Sequence, residues 1–247
     1  MRYFIRLSYK GTHYHGWQYQ PNATSVQEKL EKAFSLILRE DIAITGAGRT
    51  DTGVHAKNFI AHFEVEKELI QSQLKELIYK LNSYISKDIA IHDIYQVDDN
   101  MHARFDAKER TYQYFITTTK NPFTTESAWY VHGKLDVDKM NQACDILKEY
   151  TDFGSFAKLH SDNKTNICNL MEAHWEFKDE LLVFTIKADR FLRNMVRAIV
   201  GTMVDIGQGK TSLDELRAIV ESKDRNRAGR SVPGHGLFLV KIKYDNS

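Results

Sequence analysis

The chain has 247 residues, of which 42% are hydrophobic and 27% charged, and its formal net charge is +1. That length suits one large or two modest domains with a buried core, in an ordinary soluble globular protein. The near-neutral balance gives no global support to a nucleic-acid partner, so any such partner must be argued from local clusters.

No apolar run reaches transmembrane length, and Met1–Arg6 lacks the apolar core and cleavage site of a signal peptide. Cys144 and Cys168 are too few and too isolated for a disulfide framework or a zinc site. The expectation is a cytoplasmic protein with no membrane partner and no metal.

In chain order, residues 2–10 alternate, with Tyr3, Ile5, Leu7 and Tyr9 on one face, and read as a strand. The loop 11–18 mixes Tyr14 and Trp17 with His and Gln. Its aromatics either stack on bases or close over a core edge. Ser25-Val26-Gln27-Glu28 is a capping box, and the helix behind it carries Val26, Leu30, Ala33, Phe34 and Ile37. Ile42 and Ile44 lead as a strand into a glycine-rich loop. Phe59, Ala61, Phe63 and Val65 form the strand leaving it. A second helix carries Ile70, Leu74, Leu77, Ile78, Leu81 and Ile85, and Ile89, Ile91 and Ile94 mark a further strand.

Asp98-Asp99-Asn100 reads as a boundary. Beyond it Tyr112, Tyr114 and Ile116 share one face of a strand, on which Tyr112 reads as a half-buried strand tyrosine. A helix is expected over 137–150, then strands over 169–178 and 181–188 joined by a tight turn at Asp179-Glu180. In the segment 190–206, Arg190, Arg193 and Arg197 recur at helical spacing and are expected to line one stripe, facing either phosphate or solvent. Ser212-Leu213-Asp214-Glu215 caps a last helix. The stretch 224–230 is a second basic cluster, and 236–244 a closing strand. The fold class is α+β, with two halves of similar element order at 1–103 and 104–247, each of mainly antiparallel sheet with helices packed on it.

The most informative stretch is 46–56, Gly-Ala-Gly-Arg-Thr-Asp-Thr-Gly-Val-His-Ala. Its glycines permit tight backbone turns, and the flanking strands present it as a loop. Arg49 beside Asp51 favours the ionised carboxylate, which can then serve as nucleophile, base or ligand. The bland alternative is a turn capped by Asp51. The stretch is no P-loop, because Gly-Lys-Ser/Thr is missing, and no dinucleotide fingerprint, because the glycine spacing is wrong. Asp51-Thr52-Gly53 spells the aspartic-protease triplet. That chemistry needs a second carboxylate, and Arg49 opposes the raised pKa it implies.

This run resembles the catalytic motif of the TruA-type tRNA pseudouridine synthases, and the resemblance extends over nearly the whole chain. His102–Ala107 resembles the family's linking segment, Arg110–Tyr114 its second motif and 236–244 its ending. Met195-Val196-Arg197 matches a triplet whose arginine lies beside the catalytic aspartate. Arg193-Asn194 stand where many relatives have an aromatic residue and a histidine.

The resemblance implies a pseudouridine synthase-like fold of two pseudo-symmetric halves. It implies isomerisation of uridine at positions 38, 39 and 40 of the tRNA anticodon stem-loop, by a homodimer. Uridine's N1–C1′ bond is broken and the base rejoined through C5, with no redox change or net hydrolysis, so no cofactor is required. Asp51 then starts the reaction at C1′, at C6 or by elimination, with Arg197 holding it ionised. Tyr112 is the platform for the everted base, Arg49 fills the vacated space or holds phosphate, and Arg190 and Arg193 bind substrate. A non-catalytic RNA-binding protein with the same basic segments is the competing class.

Overall fold

The computed structural model describes residues 1–159 and 164–245. Its strands and helices group into two compact units, Met1–Lys108 with Leu239–Ser247, and Glu109–Phe238. Against halves at 1–103 and 104–247, the end of the chain from Leu239 onward groups with the first unit. The class is α+β and the sheets are mainly antiparallel.

In the first unit, β1 (Arg2–Tyr9) lies between β3 (His55–Glu64) and β4 (Ile89–Val97), antiparallel to both. The short β2 (Thr45–Gly46) pairs with β3, so the expected strand through Ile42 and Ile44 shrinks to two residues. Alternation puts Tyr3, Ile5, Leu7, Phe59, Ala61 and Phe63 in the core, and Phe34 of α1 (Val26–Leu38) meets Phe63 edge-on at 4.9 Å. Ser25 caps α1 by accepting from the Glu28 amide. The Glu28 carboxylate pairs with Lys32, so the box works in one direction. From α2 (Gln71–Tyr84), Leu74, Leu77 and Leu81 are buried.

The opposite face of β1 is solvated only in part, with Arg6 exposed and Phe4 covered. Phe4 is buried against His62, Tyr95 and Tyr244. The chain end is tied in by the Tyr244 hydroxyl, which donates to the Ala103 carbonyl, and by the Lys108 amide, which donates to the Lys243 carbonyl.

In the second unit, β8 (Leu181–Ala188) lies between β5 (Glu109–Thr117) and β7 (Leu170–Lys178), antiparallel to both, and β6 (Trp129–Tyr130) runs parallel to β5. Asn141 of α3 (Val137–Lys148) bridges to β7. Its amide nitrogen donates to the Trp175 carbonyl at 3.0 Å and its oxygen accepts from the Trp175 amide at 2.8 Å. Both main-chain groups of one strand residue are thus satisfied by a side chain. Trp175 stacks on Phe184 at 4.7 Å.

α4 (Met195–Gly207) is buried almost all round, as its apolar composition demands, and α5 (Leu213–Ser222) opens on a full reciprocal box between Ser212 and Glu215. β9 (Leu237–Lys243) ends the fold.

One buried titratable group carries a stability consequence. His62 is 6% exposed, and its Nδ1 accepts from the Ala103 amide at 3.1 Å. Burial, then the nearby His102, push its pKa down from 6.5 to about 4. Between those two values the unfolded chain takes up a proton that the folded chain refuses, so stability rises with pH and is lost on acidification. The expected loss from this residue is up to about 1.4 kcal/mol per pH unit between them. Urea unfolding at pH 7, 5.5 and 4.5 should show a shallower acid loss in His62→Asn than in the wild type. Equal slopes would remove His62 as the cause.

Candidate active site

The loop 46–56 is built from the main chain outward. The Ala47 amide donates to the Ile60 carbonyl at 2.9 Å, and the Val54 amide closes a turn onto the Asp51 carbonyl at 3.1 Å. Gly53 takes φ +78 in that turn, the left-handed value that glycine adopts without strain.

A second loop, 10–17, braces the first. The Trp17 amide donates to the Thr50 carbonyl at 3.3 Å and the Gly53 amide to the Tyr14 carbonyl at 3.2 Å. The Gly11 amide donates to His55 Nδ1 at 2.9 Å. The Tyr9 and Thr50 hydroxyls share a buried hydrogen bond of 2.9 Å. Gly16 has φ +87, and a Cβ there would lie 2.2 Å from the Thr50 carbonyl oxygen.

Tyr14 and Trp17 are 4% and 2% exposed, which settles their two readings in favour of core closure. Trp17 stacks on Phe59 at 4.2 Å, so it anchors the bracing loop rather than meeting bases. His55 is 2% exposed and serves as an acceptor for that loop. The side chains of the 49–52 stretch fare differently: Arg49 and Thr52 are exposed, Thr50 is buried and Asp51 is half-buried. Asp51 is therefore partly exposed on a loop whose backbone is held by hydrogen bonds to β3 and to the loop 10–17. Gly48, unlike Gly16 and Gly46, has open space where its Cβ would stand.

In the second unit Tyr112 lies on β5, half-buried and paired in register with Ile186. Its ring meets Phe191 edge-on at 5.2 Å. Two residues on, Tyr114 is fully buried and its hydroxyl donates to the Pro233 carbonyl at 2.8 Å. Burial raises the Tyr114 pKa, against the opposing pull of Arg197 and Arg230.

The expected arginine stripe is corrected by the structure. Asn194 adopts φ +68, and the helix begins only at Met195. Arg190 and Arg193 precede it in loop and turn, so of the three only Arg197 lies on α4. Arg197 Nε donates to the Val232 carbonyl at 2.7 Å, and the Val232 amide returns a bond to the Arg197 carbonyl at 3.3 Å.

The arginines of the basic cluster at 224–230 contact the fold itself, although Arg227 and Arg230 are exposed. Arg225 donates to the Ala228 and Gly229 carbonyls and to Ser231 Oγ, Arg227 donates to the Ala218 carbonyl, and Arg230 lies 5.2 Å from the Trp129 ring centre. Sequence reasoning missed these partners. The Arg-x-x-Ala-Gly spacing, a guanidinium three and four residues from small residues in a turn, is the one local signal for them.

Comparison with known proteins adds a family. The sequence profile of a family described as tRNA pseudouridine synthase matches residues 6–106 and 150–245. Those stretches hold Arg49, Asp51, Arg190, Arg193 and Arg197, while Tyr112 lies between them. The chain is 52% identical over 244 residues to tRNA pseudouridine synthase A of Bacteroides fragilis, covering 98% of this chain and 96% of that one. It is 51% identical over 243 residues to tRNA pseudouridine synthase A of Parabacteroides distasonis, covering 98% and 96%. The counterpart in Bacteroides thetaiotaomicron is 52% identical over 246 residues, covering 98% and 90%.

The bracing of the loop can be tested with two glycines close together in space but unlike in their surroundings. Gly16→Ala should destabilise the protein by about 1–3 kcal/mol, since the new methyl meets a carbonyl oxygen and the φ is left-handed. Gly48→Ala should stay within about 0.5 kcal/mol. Denaturant midpoints decide, and equal losses would show that the two loops are not rigidly coupled.

Proposed function

The chain belongs to the tRNA pseudouridine synthase family and is an isomerase, and from that premise we propose that it converts uridine to pseudouridine at positions 38, 39 and 40 of the tRNA anticodon stem-loop. Asp51 opens the reaction, acting on the sugar or the ring of an everted uridine. The observation that carries this reading is the loop itself: a half-buried aspartate, inside a matched stretch, on a backbone braced by a second loop.

The chemistry explains the parts. The N1–C1′ bond breaks, the base turns, C5 bonds to C1′ in place of N1, and the proton lost from C5 is balanced by one taken up at N1. Atoms and electrons balance without a co-reactant. The carboxylate must be anionic at the start, and a charge-assisted contact from Arg197 would keep it so. Unstacking a base costs a few kcal/mol. Tyr112 is assigned to recover part of that by stacking, worth about 1–3 kcal/mol per base. Arg49, exposed beside Asp51, occupies the vacated stack or takes phosphate. Arg190 and Arg193 serve as phosphate contacts from loop and turn.

Recognition of the stem-loop is then by backbone and shape, since an RNA helix exposes little sequence in its deep groove. The working form is a homodimer in the cytoplasm, and no helix among the described residues is long and apolar enough to cross a membrane.

Tritium release from tRNA carrying 5-labelled uridine tests the assignment. Asp51→Ala should bind tRNA within about twofold of the wild type and release no tritium above background. An unmodified tRNA that stays unmodified with the wild-type protein would return the chain to the class of RNA binders. Arg197→Met should lower single-turnover rate by about a hundredfold or more, on the scale of losing one preorganised electrostatic contact, with a far smaller change in tRNA affinity. A parallel loss of both would make Arg197 a phosphate contact.

A further inference from the structure

The segment 228–233 lies along α4 as a strap, and its attachments converge on one residue that no motif singles out. Gly229 and Gly201 let the two backbones touch: a Cβ on Gly201 would stand 1.9 Å from the Arg230 carbonyl oxygen, and one on Gly229 would stand 2.6 Å from the Thr202 amide nitrogen. The Gly229 amide donates to Thr202 Oγ1 at 2.9 Å. Further along, Val232 exchanges two hydrogen bonds with Arg197, and the Pro233 carbonyl accepts from Tyr114.

Between these anchors stands Ser231. Its Oγ accepts from Asn194 Nδ2 and from Arg225 Nη2, the latter at 2.8 Å. A serine hydroxyl has two lone pairs, and both are used. The two donors come from opposite ends of the local chain. Asn194 is the residue that starts α4 in a left-handed turn, one helical turn before Arg197. Arg225 is partly buried and also donates to the Ala228 and Gly229 carbonyls, so its fork gathers the strap before Ser231 receives it. The next residue after Ser231 is Val232, whose carbonyl sets the direction of the Arg197 guanidinium through Nε.

We infer that Ser231, held between Asn194 and Arg225, is a positioning residue that aims Arg197. This rests on the proposed role of Arg197. Asparagine tolerates left-handed φ and supplies the amide that Ser231 needs.

The energetics favour aiming over bulk stability. Losing the hydroxyl leaves two partly exposed donors that water can reach, a modest cost in fold. Its effect on the guanidinium that the Val232 carbonyl accepts from is geometric, and small misplacements in such sites cost about ten- to hundredfold in rate.

The test is a double-mutant cycle with single-turnover kinetics on tRNA. Ser231→Ala and Asn194→Gly should each lower the maximal rate by about tenfold or more, with the half-saturating tRNA concentration within about twofold. Glycine keeps the left-handed turn at 194 and removes only the amide. Ser231→Thr, which keeps the hydroxyl, should restore most of the rate. In an Arg197→Met background, neither change should lower the rate further. Full additivity there, equal losses in rate and affinity, or unfolding of both variants would overturn the positioning role while leaving Arg197 as assigned. If Arg197→Met keeps the wild-type rate, the reading of Arg197 fails first and the positioning role falls with it.

Discussion

The peptide group of Thr50 is the point on which the candidate site depends. Its carbonyl accepts from the Trp17 amide, its hydroxyl meets Tyr9, and its oxygen lies where a Cβ on Gly16 would be. Asp51 is the next residue. A carboxylate at the edge of a loop would ordinarily sample many positions. Here the backbone that carries it is fixed by main-chain hydrogen bonds to a loop that is itself anchored by two buried aromatics. Such bonds do not depend on the identity of most side chains, but they require the two chains to approach closely, and that is the task of Gly16. Preorganisation of this kind is what an electrostatic or nucleophilic role demands, because nothing need reorganise when charge shifts.

The second unit solves the same problem with a helix in place of one of the loops. The strap at 228–233 approaches α4 because Gly201 and Gly229 carry no side chains. Arginines do in this unit what the aromatics do in the first. Arg225 and Arg227 satisfy carbonyls, and Arg230 lies over Trp129. Arg225 is partly buried while Arg227 and Arg230 are exposed, so these side chains keep their charge but their directions are partly committed to the fold. In a chain whose net charge is only +1, phosphate contacts depend on individually placed side chains.

Most elements were legible because their signals are local. The alternation of Tyr3, Ile5 and Leu7, the period of Leu74, Leu77 and Leu81, and the Ser212 box each need only a short window. The strands at 170–178 and 181–188 fell within a residue of the reading for the same reason. The arginine stripe failed because helical spacing was extended back through Asn194, whose left-handed φ starts the helix later. Asparagine at that position was the available sign, since it is a residue that helices favour at their starts and that turns favour at positive φ. The loop 46–56 was recognised as a site, but its bracing was not, because the partners of Thr50, Gly53 and His55 lie some forty residues back. Pairing at that separation leaves no period in the sequence. The three glycines also divide in a way composition could not show: one takes a positive φ, one meets the Trp17 ring, and Gly48 has open space above it.

An isomerisation consumes no co-reactant, so the proposed reaction rests on this protein's own side chains and on where the fold holds them. That makes backbone stiffness the limiting resource. A carboxylate and a guanidinium displaced by an ångström lose most of their advantage, whereas the same displacement in a general RNA-binding surface changes affinity little. The distribution of hydrogen bonds follows that demand. The loop bearing Asp51 and the helix turn bearing Arg197 are each laced to a second segment by main-chain bonds, with glycine at the closest approach. The ordered loop residues and the partly buried guanidinium of Arg225 carry a cost that fits a proposed reaction in which angles at Asp51 and Arg197 matter.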